Sequence, residues 1–223
     1  MKKILFSLVI SLFLFQNNYA SVLELNSTND SLDNYECLFK GNIKHGWYVS
    51  FGNYYQQINK KDASSFHFTG AWVIDKKVAI GLTGYGFSGN NGRLTFKDST
   101  EKDIYLDGGC GGITIEPIIM ANRRIHITFP VFVGAGGFVL NSKDDLNYST
   151  SSNYSKNTKT KKIDAKSAFV LEPGVDIEIN IFKFMKLGIG AKYRHTSDVK
   201  LNGFSKDILK GFSFGWNLKF GKY

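Results

Sequence analysis

Near its end the chain reads GFSFGWNLKFG, residues 211–221. Phe212, Phe214, Trp216, Leu218 and Phe220 share one parity; Ser213, Gly215, Asn217, Lys219 and Gly221 share the other. Side chains alternate between the two faces of a strand, so this stretch predicts a β-strand with one bulky apolar face and one small or polar face. The same period of two runs back through the chain to about residue 46.

The alternation comes in pairs around short turns. Ile74 and Val78 flank Asp75-Lys76-Lys77, and pairing outward from there sets Trp72 against Ile80, Gly70 against Leu82, Thr69 against Thr83 and His67 against Tyr85. A second hairpin is expected to turn at Ile181-Phe182-Lys183. That register opposes Ile179, Val175 and Leu171 to Met185, Ile189 and Tyr193 on one face. On the other it opposes Glu178 to Lys186 and Glu172 to Lys192. Directly opposed residues are the contact unit of an antiparallel pair.

Eight strands are predicted, over 46–57, 65–74, 78–88, 103–118, 124–139, 167–180, 184–195 and 210–222. Most reach the roughly 9–11 residues that a tilted strand needs to cross a bilayer. The connections near Lys76, Asn122 and Phe182 are short. Those near Asn90, over 141–166 and over 196–209 are long and polar, and Asn59 to Ser64 is modest. An even strand number with alternating short and long connections is the pattern of outer-membrane barrels, with both chain ends on the periplasmic side. Pro117, Pro130 and Pro173 all fall inside predicted strands. Proline cannot donate to the ladder, so bulges that shift later facings are expected there.

The content of the two faces separates a membrane barrel from a soluble, lipocalin-like carrier, in which large apolar residues point inward around a ligand. One face carries Ile125, Ile127, Phe129, Val131, Val133, Phe169, Leu171, Val175, Ile177 and Ile179. The other is small or charged: Gly134, Gly136, Glu172, Gly174, Asp176, Glu178, Gly188, Gly190, Lys192 and Arg194. Bulky residues toward lipid and glycines with paired charges in a narrow lumen fit this division. The predicted class is all-β: an eight-stranded antiparallel up-and-down transmembrane β-barrel over residues 45–223. Closure satisfies every backbone donor and acceptor, as lipid requires. Inside, Glu172, Asp176 and Glu178 are expected to form a charge network with Lys186, Lys192 and Arg194, because an unpaired charge out of water is costly. Such an interior is just wide enough for side chains, which argues against an open pore. Trp47, Trp72, Tyr193, Trp216 and Phe220 are read toward strand ends, as in interfacial aromatic girdles.

Residues 1–20 have the three parts of a secretory signal: Lys2 and Lys3, a twelve-residue apolar run from Ile4 to Phe15, and small Ala20 as the expected cleavage point before Ser21. That run is too short for a spanning helix. Residues 21–44 are expected to be an N-terminal periplasmic segment. Cys37 and Cys110 could pair in an oxidising compartment, but isolated and without CxxC spacing they read as idle or buried thiols.

The pieces Gly70-Ala71-Trp72-Val73-Ile74, Gly84-Tyr85-Gly86, Ile115-Glu116-Pro117-Ile118, Phe129-Pro130-Val131, Glu172-Pro173-Gly174 and Leu218-Lys219-Phe220-Gly221 resemble a family of small, OmpX-like outer-membrane β-barrels of Gram-negative bacteria. The resemblance spans most of residues 46–223. It implies an eight-stranded barrel inserted by the barrel-insertion machinery through its last strand. The ending departs from the commonest pattern: Tyr223 is last, and Phe220 holds the in-phase aromatic position.

One enzyme-like feature stands out, His195-Thr196-Ser197-Asp198. It looks like the His-x-Ser arrangement of outer-membrane lipid A deacylases, in which His activates Ser against an ester. That chemistry needs base and hydroxyl within hydrogen-bond reach and a third group orienting the base, for which Asp198 or Asp207 are candidates. The competing reading is a strand end running into a loop. His45, His67 and His126 show no metal-ligand spacing; His67 and His126 read as lumen filling. No cofactor is expected. The net charge of +9 is spread over loops and lumen, and with the export signal it points away from nucleic acid. Expected partners are outer-membrane lipid and lipopolysaccharide, with a surface ligand for the basic 141–166 loop. The reading is a non-enzymatic outer-membrane barrel with a structural or surface-interaction role. The alternatives are an esterase using His195 and Ser197, or a narrow solute channel.

Overall fold

In a computed structural model, the residues described are 43–89, 94–97, 103–144, 159–199, 201 and 203–223. The chain divides into Met1–Leu38 and Phe39–Tyr223, and all described residues lie in the second unit. The expected signal, the cleavage point at Ala20, nearly all of the 21–44 segment and Cys37 fall outside them.

Ten antiparallel strands form: β1 (His45–Ile58), β2 (Lys61–Ile74), β3 (Val78–Gly89), β4 (Leu94–Lys97), β5 (Asp103–Ile119), β6 (Ile125–Thr128), β7 (Val131–Asp144), β8 (Lys159–Phe182), β9 (Met185–Thr196) and β10 (Gly211–Lys222). Pairing runs β1–β2–β3–β5, then to β6 and β7, then β8–β9–β10 and back to β1. Strands β6 and β7 each pair with both β5 and β8, so they are one stave interrupted at Phe129-Pro130. The wall therefore has eight staves and closes on itself. The extra strand β4 adds onto the upper end of β5, inside the segment near Asn90 read as a loop.

Three expectations need correction. The loop between β1 and β2 is only Asn59-Lys60, both at positive φ (47° and 62°), as a two-residue hairpin turn of the I′ kind demands. Both ends of the 141–166 segment, read as a loop, are strand: β7 and β8 stay paired out to Asp144 and Lys159, with one register shift at Leu140/Asn141.

The prolines also behave differently from the bulge expectation. Pro117, Pro130 and Pro173 lie side by side on neighbouring staves. Phe129 N donates to Pro117 O at 3.0 Å and Gly174 N to Pro130 O at 2.8 Å, while Val131 stands opposite Pro173. On both neighbours the register of β6 continues that of β7 without a shift. Each proline omits its own donor, and the prolines gather where the ladder is already open. Facing is preserved, so the inside and outside of every stave match the parity read from sequence.

Outside, the wall is a belt of large apolar side chains. Leu82, Phe212, Ile189 and Phe66 are 60–70 % exposed, and Phe51, Phe68, Ile113, Phe169, Ile177 and Phe214 about half. Inside, it buries Glu116, Glu172, Asp176, Glu178, Arg194 and Lys219. This inversion excludes the lipocalin-like arrangement. Trp47 and Trp72 face each other near the end of the short turns. Trp216 pairs with Asn53 and Ile189 at mid-strand, so it belongs to the belt and not to a girdle.

Candidate functional site

Strand parity fills the lumen. Even-numbered residues of β5, β8 and β9 point in, as do odd-numbered residues of β2, β3 and β10. Four carboxylates (Glu116, Glu172, Asp176, Glu178) and four cations (Lys186, Lys192, Arg194, Lys219) thus meet in one narrow space, stacked in tiers.

In the lower tier Lys219 Nζ bridges Glu116 at 2.6 Å and Glu178 at 2.5 Å. Tyr48 donates to Glu116 at 3.1 Å, Thr128 donates to Glu178 at 3.3 Å, and His126 Nε2 lies 3.1 Å from Glu178. Below them Lys186 sits over the ring of Tyr223 at 3.5 Å. The middle tier sets Lys192 over the ring of Tyr54 at 4.0 Å, and Asn217 bridges Asp176 (3.0 Å) and the Tyr54 hydroxyl (3.2 Å). Thr69, Thr83 and Thr114 link their hydroxyls across three staves at 2.8 and 2.6 Å. In the upper tier Arg194 holds Glu172 at 2.9 Å, Gln56 at 2.7 Å and the Tyr85 hydroxyl at 3.2 Å; Tyr85 in turn donates to Glu172 at 3.1 Å.

All six predicted network residues therefore point into the lumen, but their partners differ from the sequence reading. The β8–β9 turn falls at Lys183-Phe184, with Phe182 opposite Met185. The register is two residues from the predicted one, which puts Glu178 opposite Gly188 and Lys186 opposite Asn180. A shift of two keeps every facing and changes every partner. Glu178 turns instead to Lys219 and His126, and Glu172 to Arg194. Glu116 and Lys219 went unassigned because they are 103 residues apart in the chain. Their parity was readable; their adjacency required the closed ring.

Above the charges the interior turns apolar. Phe132, Phe138, Leu140, Val170, Leu94, Leu106 and Cys110 form one packed cluster with Val199, Leu201, Ile208 and Leu209 of the β9–β10 connection. That connection, read as a polar outer loop, folds its apolar residues into the upper mouth. Ion pairs hold its solvent side: Asp198 with Lys206 and Lys210, and Asp207 with Lys210. Lys206 beside Asp198 holds its carboxyl below the usual range, and the bond to Asp207 raises Lys210. Cys110 is a free, buried thiol. Between the tiers lies a cavity of about 30 Å³, lined by Tyr48, Tyr54, Glu116, Asp176, Lys192 and Lys219 among others. That holds roughly two waters at about 10–15 Å³ each.

His195 and Ser197 both face outward at the upper end of β9 and beyond it. Ser197 Oγ accepts a hydrogen bond from Phe169 N at 3.1 Å, and Ser197 N donates to Phe169 O at 3.0 Å. Among the described residues no hydrogen bond joins His195 to Ser197, and the candidate orienting acids Asp198 and Asp207 are taken by lysines. The serine continues the β8–β9 ladder. No group of His, Cys, Asp or Glu among the described residues has metal-binding geometry.

No family model matches the chain, and no curated protein matches it in sequence. Among solved structures it is similar to Neisserial surface protein A, with 9% identity over 81% of this chain and 99% of that one and a TM-score of 0.48. It is similar to Ail, the attachment invasion locus protein of Yersinia pestis, with 12% identity over 79% and 97% and a TM-score of 0.45. The N-terminal β-barrel domain of Pseudomonas aeruginosa OprF matches with 7% identity over 78% and 96% and a TM-score of 0.39.

Proposed function

We propose that the chain is an integral outer-membrane protein of a Gram-negative bacterium, exported by cleavage near Ala20. In this reading it is non-enzymatic and closed to solutes, and it serves the envelope by structure and by contacts at its outer end. The observation that carries the reading is the inverted wall: a belt of exposed aliphatic and aromatic side chains around buried, mutually paired charges. Such a surface is insoluble in water and matched to lipid. Both ends of the barrel chain lie beside the three short turns, with Trp47 opposite Lys222, which supports an orientation with the long connections outside.

The outer end supplies the contacts. Strands β7 and β8 carry the wall outward, and the sequence there is basic, with Lys156, Lys159, Lys161, Lys162 and Lys166. Lipopolysaccharide or an acidic surface partner suits that charge. The insertion machinery would engage β10, whose apolar face ends in phase at Phe220.

Outer-membrane fractionation combined with heat-modifiable gel mobility tests this function. The expected result is recovery with the outer membrane and a band that shifts on boiling. Recovery in the soluble periplasm would overturn the proposal. Protease clipping between residues 145 and 158 on intact cells tests the orientation; a site cut only after lysis would reverse it.

A further inference from the structure

The end of the barrel opposite the apolar cap has a different character. A cavity of about 670 Å³ opens there, lined by Lys76, Asn122, Asn180, Lys183, Lys186 and Tyr223 on its polar side. Val73, Ile118, Ala121, Ile181 and Phe182 complete it. Among the described residues no acidic side chain lines it. Its size is that of a ligand site and far exceeds the space between the tiers above.

Three features of this cavity point to one ligand chemistry. First, Lys186 is 6 % exposed, and its ammonium rests on the Tyr223 ring, with no salt bridge to an acid among the described residues. Glu178, whose charge reaches Lys186, is already bonded by Lys219 and His126. A buried ammonium resting on an aromatic face keeps N–H donors to offer an anion. Second, Tyr223 Oη and Asn180 Oδ1 are buried without hydrogen-bond partners among the described residues, one able to donate to an anion's oxygen and the other able to accept from a hydroxyl. Third, the surrounding rim is basic: Lys44, Lys76, Lys77, Arg123, Arg124 and Lys183 crown it. Asp75, the one acid among the described turn residues here, is paired with Lys77 at 2.8 Å. The cavity's Ile181 and Phe182 are 42 % and 57 % exposed on the lipid side of the wall, so the cavity joins the bilayer surface at that edge.

We infer that this mouth binds the phosphate of an anionic phospholipid from the inner leaflet, with Lys76, Lys183 and Lys186 around the phosphate, Tyr223 donating to it, and the acyl chain over Ile181 and Phe182. The inference rests on the membrane orientation proposed above. Apolar wall and cationic floor side by side favour an amphiphile over a free ion.

The test is lysine footprinting of the full-length protein with an amine-reactive reagent and mass spectrometry. Three nanodisc preparations are compared: phosphatidylcholine alone, phosphatidylcholine with phosphatidylglycerol, and phosphatidylcholine with millimolar inorganic phosphate. Lys222 lies on the same rim outside the cavity and reports general surface attraction. Phosphatidylglycerol is expected to slow modification of Lys76 and Lys183 more than that of Lys222. Lys186→Met should weaken this selective protection by about tenfold, the size of one lost charge-assisted contact, and Lys183→Gln should weaken protection of Lys76. Equal slowing of all three lysines, or none, overturns the site. Protection by inorganic phosphate and not by phosphatidylglycerol overturns the lipid source. Heat-modifiable mobility is run on every sample. A wild-type chain that fails to insert defeats the membrane reading itself, whereas an inserted chain without selective protection defeats this inference alone.

Discussion

Lys219 shows how much of the lumen rests on single side chains. One ammonium satisfies Glu116 and Glu178, and it lies 4.7 Å from the ring centre of Tyr48. Removing one partner of a buried ion pair leaves an uncompensated charge, at a cost of roughly 3–5 kcal/mol. Lys219→Met is therefore expected to destabilise the vesicle-inserted barrel by about 3–5 kcal/mol, read as a lowered urea midpoint at unchanged slope. Adding Glu116→Gln should restore part of the loss, because one of the two stranded charges is removed. A second residue-scale prediction concerns Asp198, whose carboxyl is held below its ordinary range by Lys206. A depressed folded value means a stabilising contribution that is complete above the unfolded value of about 3.9. It drains away as pH falls toward the depressed one. Protease susceptibility of the 203–210 segment should rise below that unfolded value, and Asp198→Asn should be equally susceptible on both sides of it. At this scale the sequence was partly legible. Parity identified which residues enter the lumen, including His67 and His126. The pairs Glu116–Lys219 and Arg194–Gln56 depend on ring closure, which no local pattern encodes.

At the level of elements, two registers were readable to different degrees. The β2–β3 hairpin pairs as its turn signals imply, down to Thr69 against Thr83 and His67 against Tyr85. In β8–β9 the apolar run Ile181-Phe182-Lys183-Phe184-Met185 contains no glycine, asparagine or proline to mark the turn. A displacement by two was invisible there because it conserves facing. The β9–β10 connection escapes a local reading for a related reason: Val199, Leu201, Ile208 and Leu209 are scattered among polar residues and follow no period. Close stave packing gives a direct test. A Cβ at Gly190 would overlap the Asp176 carboxylate and the Val175 carbonyl, whereas one at Gly111 meets nothing within 4 Å. Gly190→Ala is expected to destabilise the inserted barrel by about 1–3 kcal/mol, and Gly111→Ala to leave its urea midpoint nearly unchanged. On the outer face Ile189→Arg, at 62 % exposure in the belt, should cost about 2–4 kcal/mol in a bilayer. In detergent-free water an ordinary soluble barrel would tolerate that change.

For the whole molecule, the closed eight-stave barrel and its inverted faces were the most legible features, because period-two alternation repeated in eight segments between residues 46 and 222 is a strong signal. The separation of the lumen into a basic lower mouth, paired charges and an apolar cap was not legible, since it arises only when distant staves are stacked. Everything else follows from the bulky face meeting lipid. All three tryptophans of the chain, Trp47, Trp72 and Trp216, lie on that face, at 55 %, 57 % and 45 % exposure. The decisive measurement is quenching of tryptophan fluorescence in reconstituted vesicles, by acyl-brominated lipids and by aqueous acrylamide. Strong quenching by bromine is expected, deepest for Trp216 and shallower for the Trp47–Trp72 pair near the rim, with little effect of acrylamide. Strong acrylamide quenching with no effect of the brominated chains would contradict it.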